Sequence, residues 1–456
     1  MKLNTKRFAL IAALLLLADR SLTGCTAARE AVSVPAAYAL ATPSPTAGNS
    51  YTDSSDGGHA ILADGETAFY SNITVTKTGE AAGDKADFYG ENAAVFAANG
   101  AELHLRAISV TTDGTHANAV FSYGEGTIVN IADSTISTSA DCSGGLMTTG
   151  GGTMNADNVV VHTAGRSSAA IRSDRGGGIV NVTGGTFDTA GVGSPAIYST
   201  ADITVSDAEL SAAASQGVVV EGKNAVTLNN VSLTASNTQK NSGKSPWYQA
   251  VMLYQSMSGD AGEGTAAFTA RGGSSTNLKG DIFFVTNTSA VINLTSTRIV
   301  NDDPDGVFLR AAAAGWGREN ANGGHVELYT AAQVLDGDLL VDGLSTLNLH
   351  LWDGSVLTGA VNPADEGEVY VELTDGAKWV LTGDSHIKSL KCEAGSIDLN
   401  GFTLTVDGEV YAEGTASEGS PVEYVSQSGE RPSRPDGMPE PLDGGHGKDE
   451  KPPKKK

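Results

Sequence analysis

The densest group of acidic residues in this 456-residue chain is the segment Asn301-Asp302-Asp303-Pro304-Asp305-Gly306. Paired carboxylates are the groups with which many enzymes cleave glycosidic bonds, so Asp302, Asp303 and Asp305 are the first candidates for chemistry. The proline and the glycine inside the segment favour a tight turn, however. We therefore predict that these aspartates belong to a turn and not to a catalytic site.

The other residues that could do chemistry are scattered. Asp174 lies between Arg172 and Arg175 and could help them hold a substrate carboxylate, but a local ion pair is the commoner outcome of this spacing. Only eight histidines occur, and the sequence has no Gly-x-Ser-x-Gly elbow, phosphate-binding loop or cofactor fingerprint. The sequence predicts a protein that is not an enzyme. A carbohydrate-active lyase or hydrolase is the alternative.

A repeated three-residue phrase indicates which elements carry these residues. Its copies are Ala94-Val95-Phe96, Ala119-Val120-Phe121, Gly145-Leu146-Met147, Ala170-Ile171-Arg172, Ala196-Ile197-Tyr198 and Val218-Val219-Val220. The central residue advances by 25, 26, 25, 26 and 22 positions, and two further β-type runs follow it in each period. This period is typical of a stacked solenoid. The predicted fold class is all-β, a parallel β-helix of about twelve coils.

Alternation along these strands predicts which side chains face the core. The central column is aliphatic and is predicted to point inward: Val95, Val120, Leu146, Ile171, Ile197 and Val219. The next column contains an arginine, which would be costly inside, and is predicted to point outward: Phe96, Phe121, Met147, Arg172, Tyr198 and Val220.

Two features predict a binding surface. Exposed apolar stripes often mark interaction sites, and loops on a rigid scaffold often carry function. The candidate residues are Phe96, Phe121, Met147 and Tyr198 in the outward column, with Trp247 and Trp316 in two long loops. The alternative is structural in both cases: segment 51–90 or the long insertion, about residues 240–264, covers the column, and the tryptophans cap the solenoid.

The N-terminus reads as an export signal. A basic start and a short apolar run precede Leu22-Thr23-Gly24-Cys25, which resembles the bacterial lipobox. The resemblance implies lipidation of Cys25, with an ordinary secretory signal as the alternative. The predicted organisation is a lipoprotein signal peptide over 1–24, a flexible spacer over 25–50, the β-helix over 51–414 and a disordered, proline-rich and charged tail over 415–456.

Net charge and cysteine content limit the kinds of partner and cofactor that the chain is expected to bind. A net charge of −24 argues against nucleic-acid binding. Cys142 and Cys392 are predicted to lie many coils apart and to form no disulfide, and no Cys/His spacing resembles a zinc site. We predict no cofactor and no metal site, with calcium as the one open alternative for so acidic a chain, and a monomeric protein.

The run from Asp174 to Phe187, followed by Ser194 to Thr200, resembles bacterial exported right-handed parallel β-helix proteins, the adhesin-like members of the pectin-lyase-type solenoids. The resemblance covers roughly residues 50–410 and implies the handedness of the helix. It also implies a surface protein. Together with the lipobox-like segment, it predicts a surface-exposed binding protein that is lipid-anchored to the cell membrane or outer membrane and recognises a polysaccharide or a protein. The alternatives are a pectin-lyase-like lyase or hydrolase and a structural spacer.

Overall fold

The computed structural model describes residues 49–424. In these residues, short β-strands stack coil upon coil into long parallel sheets, and this confirms the predicted all-β, parallel β-helix. The predicted signal peptide, Cys25 and most of the spacer and tail lie outside the described residues. Among the residues described, no helix is long and apolar enough to cross a membrane.

Each of the first ten coils contributes one strand to each of three long sheets in turn. Sheet 1 has ten strands: Ser50–Asp53, Thr74–Lys77, Ser109–Thr112, Thr135–Thr138, Val160–Thr163, Thr186–Thr189, Glu209–Ala212, Ser232–Ala235, Ser274–Asn277 and Arg298–Asn301. Sheet 2 has eleven: Ile61–Asp64, Val95–Ala98, Val120–Tyr123, Leu146–Thr149, Ile171–Ser173, Ile197–Ser199, Val218–Glu221, Gln249–Tyr254, Asp281–Thr286, Leu309–Ala311 and Leu339–Val341.

Sheet 3 is the longest, with fourteen strands: Thr67–Ser71, Glu102–Arg106, Ile128–Ala132, Gly152–Asp157, Gly178–Thr183, Asp202–Ser206, Ala225–Asn229, Thr265–Arg271, Thr288–Thr295, Gly324–Ala331, Thr346–Trp352, Glu368–Leu373, Ser389–Cys392 and Ser417–Glu418. Two small sheets complete the C-terminal coils. Sheet 4 contains Val334–Asp336, Val356–Thr358, Lys378–Val380 and Ile397–Asp398, and sheet 5 contains Ser385–Ile387, Leu404–Val406 and Glu409–Val410.

The repeated phrase forms sheet 2, and its predicted register holds for the first five copies. Val95 pairs with Val120, and Leu146 pairs with Ile171. The sixth copy is wrong by one residue, because Ile197 pairs with Val218 and not with Val219. Three consecutive valines give alternation no means of choosing the inward one, and a shift of one residue exchanges the two faces.

Inward side chains of the three sheets form one continuous core. Val120, Leu146, Ile171 and Ile197 are all 0% exposed, and they pack against the inward columns of sheets 1 and 3. Burial of each such side chain contributes about 1.5–3 kcal/mol. The stack of aliphatic columns is therefore the main source of stability, and each coil depends on its neighbours for burial.

Corners between strands turn through left-handed backbone. Most non-glycine residues with positive φ are Asn or Asp, which tolerate this conformation best. Two exceptions are His116 and Cys142, with φ of 54° and 56°. Cys142 and Cys392 are both free, so the predicted absence of a disulfide between them is confirmed.

The C-terminal coils end with reversed strands. Ser417–Glu418 pairs antiparallel with Ser389–Cys392 at the end of sheet 3, and Glu409–Val410 pairs antiparallel with Leu404–Val406 in sheet 5. The ordered part thus extends past residue 414, where the sequence predicts a disordered tail. A strand of two residues is too short to show alternation in the sequence.

A single helix in the described residues, α1 (Asp84–Tyr89), interrupts the second coil. It ends at Gly90, which has a left-handed φ of 78°. A β-carbon at Gly90 would lie 2.2 Å from the ring of Phe96, so only glycine lets the chain pass so close to sheet 2. This close passage brings α1 onto the outer face of sheet 2.

Candidate functional site

The outward column of sheet 2 is covered. Phe121 and Met147 point away from the core, as predicted, but both are 0% exposed. They form a small apolar cluster with Ala93, against which Phe96 also packs. The expectation that this column is an exposed binding stripe is therefore wrong for its N-terminal part, and the structural alternative, a cover supplied by segment 51–90, is correct.

The second half of the column is covered by the long insertion. Tyr198 and Trp247 pack against a cluster that contains Phe284 and Tyr254. The ring of Trp247 lies 5.4 Å from Phe284, and the ring of Trp316 lies 5.3 Å from Tyr254. Both tryptophans therefore anchor their loops to the wall of the solenoid. Neither forms part of an open aromatic stripe.

Ionisable groups are buried beneath the two segments that cover the outer face of sheet 2, namely α1 and the long insertion; we call these segments the covers. Arg172 points outward and donates to Asp174 at 2.8 Å, which is the local ion pair predicted for this segment. Asp174 is 3% exposed, and burial raises its pKa to about 7 despite the arginine. Glu221, 1% exposed, accepts hydrogen bonds from the hydroxyls of Tyr198 and Tyr254. Without access to solvent, these groups cannot reach a substrate.

Arg175 holds both covers to the wall. Its Nε donates to Asp260 of the long insertion at 2.6 Å, and its Nη1 donates to Asp84 at the start of α1 at 2.9 Å. The guanidinium also lies 3.9 Å from the centre of the Phe88 ring. One side chain, in the turn after the sheet 2 strand Ile171–Ser173, thus fastens two segments that are far apart in sequence.

The acidic segment around Asp303 is a turn, as predicted. Asp303 lies 2.8 Å from Lys279 and accepts backbone hydrogen bonds from Gly280 and Asp305. These contacts, with Lys279 first, hold the pKa of Asp303 below its usual value. Asp302 and Asp305 are exposed on the same turn. The carboxylate of Asp303 stabilises the turn, and the three carboxylates do not converge on a groove.

The outer face of sheet 3, in contrast, is partly open among residues 49–424. Phe69 and Ile179 point outward from it and are 45% and 48% exposed. A central outward column runs along this face in parallel register and carries only amides and hydroxyls over seven successive strands. We call these residues the polar ladder: Asn130, Asn155, Asn181, Thr204, Thr227, Thr269 and Asn293.

Amide groups of the polar ladder bond to one another along the stack. Asn155 donates to Asn130 at 2.9 Å, and Asn181 donates to Asn155 at 3.0 Å. Each amide still has a second donor or acceptor position to offer to solvent or a ligand. The ladder is therefore a row of neutral hydrogen-bonding groups with a spacing of about 4.8 Å per strand.

The same column continues into a cluster of acidic and aromatic residues. We call it the acidic-aromatic cluster: Glu327, Tyr329, His350, Trp352 and Glu372. His350 lies between the two glutamates, with Nδ1 2.7 Å from Glu372 and Nε2 3.3 Å from Glu327. Lys391 follows in the next strand and donates to Glu372 at 2.8 Å.

The aromatic rings of this cluster form a platform. Tyr329 stacks on His350 with 4.5 Å between ring centres and 13° between planes. The ring of Trp352 lies 5.4 Å from Tyr329 and 5.5 Å from His350. Tyr329 and Trp352 remain partly exposed. Aromatic surface beside hydrogen-bonding carboxylates suits the alternating CH and OH groups of a sugar.

Electrostatics keep this cluster in its charged form. Burial alone would raise the pKa of Glu327 and Glu372, but hydrogen bonds from His350, Asn348 and Lys391 hold both below the usual value. Burial would lower the pKa of His350, yet its hydrogen bonds to the two glutamates raise it. The hydrogen bond to Glu372 raises the pKa of Lys391 as well.

The C-terminal segment crosses the same face. Asn348 and Val422 exchange two hydrogen bonds, at 3.0 and 3.1 Å, and the ring of Tyr424 stacks on His325. Ser420 donates from its backbone to Ser389 at 2.9 Å. This segment flanks the acidic-aromatic cluster on one side, and it lies within the range that the sequence predicts to be a disordered tail.

Sequence reasoning missed this face. The strand Thr346–Trp352 shows clear alternation in the sequence, which marks His350 as outward once Leu347, Leu349 and Leu351 are placed in the core. Glu327 and Glu372 lie 23 and 22 residues away from His350, so their meeting depends on the lengths of the intervening turns. Those lengths vary in the C-terminal coils, where the repeat is loose.

Comparison with known proteins returned no relatives: no family model, curated protein or solved structure matches the chain.

Proposed function

We propose that this chain is an exported, lipid-anchored binding protein that recognises an extended, largely uncharged polysaccharide along the outer face of sheet 3. The observation that carries the proposal is the polar ladder, which offers neutral hydrogen-bonding groups along an open parallel sheet. The acidic-aromatic cluster continues the same line and supplies ring surface. A linear polymer can contact many rungs at once, each weakly.

The net negative charge of the chain favours an uncharged ligand. The chain has a net charge of −24, which repels polyanions such as uronic-acid polymers. The polar ladder is nevertheless free of charge over seven strands, although aspartates occur beside it at Asp157 and Asp202. A neutral line on an acidic surface favours hydroxyl groups over carboxylates or phosphates.

Binding fits the acidic-aromatic cluster better than hydrolysis does. A glycoside hydrolase needs one carboxyl group that stays protonated to act as the acid. The pKa values of Glu327 and Glu372 are both lowered, so both are carboxylates at neutral pH. A lyase needs a basic group with a lowered pKa, whereas the pKa of Lys391 is raised.

The test is direct binding to a panel of neutral and uronic-acid polysaccharides by affinity electrophoresis. We expect retardation by at least one neutral polymer. Tyr329→Ala with Trp352→Ala, and separately Asn155→Ala with Asn181→Ala, should each weaken binding by about tenfold, or about 1.4 kcal/mol. Phe402→Ala, at a 38% exposed ring elsewhere, and Ser211→Ala on sheet 1 are the matched controls.

A carbohydrate-active enzyme is the second candidate, because two glutamates flank one histidine on an open face. Incubation of the same panel with the protein, with and without calcium, would release new reducing ends or unsaturated uronates if this candidate is correct. Their loss in Glu327→Gln or Glu372→Gln would replace the binding proposal. Absence of both binding and turnover would leave the spacer interpretation.

A further inference from the structure

Three metal-ligating side chains meet where α1 lies against the solenoid. A carboxylate oxygen of Asp87, an imidazole nitrogen of His116 and the thiol of Cys142 all lie within 4.8 Å of one another. Asp87 Oδ1 is 2.7 Å from His116 Nδ1. All three residues are half-buried. Within residues 49–424 this is the one group of at least three such ligands.

Two of the ligands occupy the same corner of successive coils. His116 follows the sheet 1 strand Ser109–Thr112 by four residues, and Cys142 follows Thr135–Thr138 by four. The backbone of His116 donates to Asp141, next to Cys142, at 3.0 Å. The corner therefore stacks an imidazole and a thiol about one strand spacing, roughly 4.8 Å, apart.

Cys142 is an unusual residue for this corner. The backbone is left-handed here, and the equivalent corners of neighbouring coils carry Ser167 and Gly193. Left-handed backbone disfavours residues with a β-carbon by about 1–2 kcal/mol, least for Asn, Asp and His. Cys142 does not make the turn easier, so a role for its side chain is the simpler reason for its presence.

The third ligand comes from the cover. Asp87 lies on α1, and its neighbours hold that helix to the wall: Thr149 donates to the Phe88 carbonyl at 2.7 Å, and Asn118 to the Ala86 carbonyl at 3.4 Å. The backbone of α1 on either side of Asp87 is thus held by contacts that do not involve His116 or Cys142. The three ligands are already close to one another, which lowers the cost of binding.

We propose that Asp87, His116 and Cys142 bind one zinc ion, which fastens α1 to the corner of the third and fourth coils. One sulfur, one nitrogen and one oxygen ligand suit Zn²⁺, and three protein ligands leave a fourth position for water. The nearby charge of Arg172 is compensated by Asp174, at 2.8 Å. Calcium and magnesium prefer oxygen ligands and would bind poorly here.

A proton must leave when the ion enters. The thiol of Cys142 passes its proton to solvent as the Zn–S bond forms. A neutral His116 imidazole binds the ion through one ring nitrogen and keeps its proton on the other.

The experiment titrates the metal-free full-length chain with Zn²⁺ and Co²⁺ in millimolar Mg²⁺, which occupies non-specific carboxylate sites. We expect one equivalent of Zn²⁺ to bind and to raise the melting temperature. Co²⁺ should give a sulfur-to-cobalt charge-transfer band. Cys142→Ser should abolish this band, and Asp87→Asn or His116→Asn should weaken Zn²⁺ binding by at least about tenfold, as loss of even an outer-sphere partner can.

Matched controls come from the same chain. His162→Asn removes a histidine that also contacts an aspartate, Asp188, at 2.6 Å, and Cys392→Ser removes the other cysteine of the described residues. Cys25→Ser tests the remaining thiol. All three should bind Zn²⁺ as the unaltered chain does. Asparagine suits left-handed backbone, so His116→Asn retains the fold and isolates the lost ligand.

Two results would overturn the proposal. One is a Co²⁺ complex without the sulfur band although circular dichroism shows the native β-rich fold. The other is Zn²⁺ binding that survives Cys142→Ser and His116→Asn unchanged, which would assign the ion to surface carboxylates. Neither result would affect the polysaccharide proposal, since the metal site and the outer face of sheet 3 share no residue.

Discussion

Single residues decide the character of the open face. His350 is 6% exposed, yet it bonds to two carboxylates that would otherwise repel each other, from adjacent outward columns of sheet 3. When it is protonated, His350 is a cation that allows acidic residues to line a partly buried surface. Alternation alone identifies His350 as outward. Its partners could not be predicted, because they depend on cross-coil register.

We expect the stability contribution of this cluster to depend on pH. The pKa of His350 is raised, so its contribution is complete below the ordinary histidine value of about 6.5 and is lost as pH rises through the folded-state pKa. The lowered pKa values of Glu327 and Glu372 make their contribution disappear as pH falls below about 4.3. The cluster is most stabilising between these limits.

His350→Gln should accordingly lower the melting temperature more at about pH 5.5 than at about pH 9. Thermal unfolding followed by circular dichroism measures the difference. His162→Gln, at an exposed histidine on sheet 1, is the control. An equal loss at both pH values would mean that His350 is neutral in the folded protein.

A second prediction about a single residue concerns the lipidation of Cys25. Leu22-Thr23-Gly24-Cys25 follows a short apolar run, so we expect the mature protein to begin with an acylated cysteine. Intact-mass spectrometry of membrane-extracted protein measures the added lipid, and Cys25→Ser should shift the protein to the soluble fraction. A mature chain that begins at another residue, without lipid, would contradict this.

The strands could be predicted from the sequence where the repeat is regular. The phrase in sheet 2 predicts strands, coil order and inward columns because each strand repeats the same local pattern. The covers were not predictable as such: α1 and the long insertion break the period, and nothing local shows onto which face they fold. The outward column was therefore misjudged as exposed, although Arg172 and Tyr198 were correctly placed outside the core.

Arg175 provides the test of these covers. We expect Arg175→Ala to increase hydrogen exchange in α1 and around Asp260 together, because one guanidinium holds both. Hydrogen exchange with mass spectrometry measures the two segments separately. Arg166→Ala, at an exposed arginine in the preceding turn of the same coil, should change neither. Faster exchange in one segment only would show that the covers are held independently.

For the molecule as a whole, charge and repeat have different consequences. The stacking of coils follows from periodicity and was predictable. The exposure of the outer face of sheet 3 was not predictable, because it depends on which of the segments that break the repeat fold over which sheet. The polar ladder is neutral, whereas the chain as a whole has a net charge of −24. The electrostatic field of the whole protein therefore affects which polymers approach. The hydrogen-bonding groups of the ladder determine which of them bind.

Salt dependence follows from this separation. Binding of a neutral polysaccharide should change less than about twofold between low and high ionic strength, since no counterions are released. Binding of a polyanion, if any, should strengthen as salt screens the repulsion. Affinity electrophoresis at several salt concentrations distinguishes the two. A neutral polymer whose binding collapses in salt would place the site on charged residues instead of the ladder.

The reversed strands Ser417–Glu418 and Glu409–Val410 have one further consequence. A parallel β-helix presents, at its last coil, a template onto which a second copy could add in register, and unlimited addition would produce a fibre. Because the chain direction reverses at the edges of sheets 3 and 5, a further coil there would have to pair with a strand of the opposite orientation. Addition of a second copy in parallel register is therefore disfavoured at these two edges.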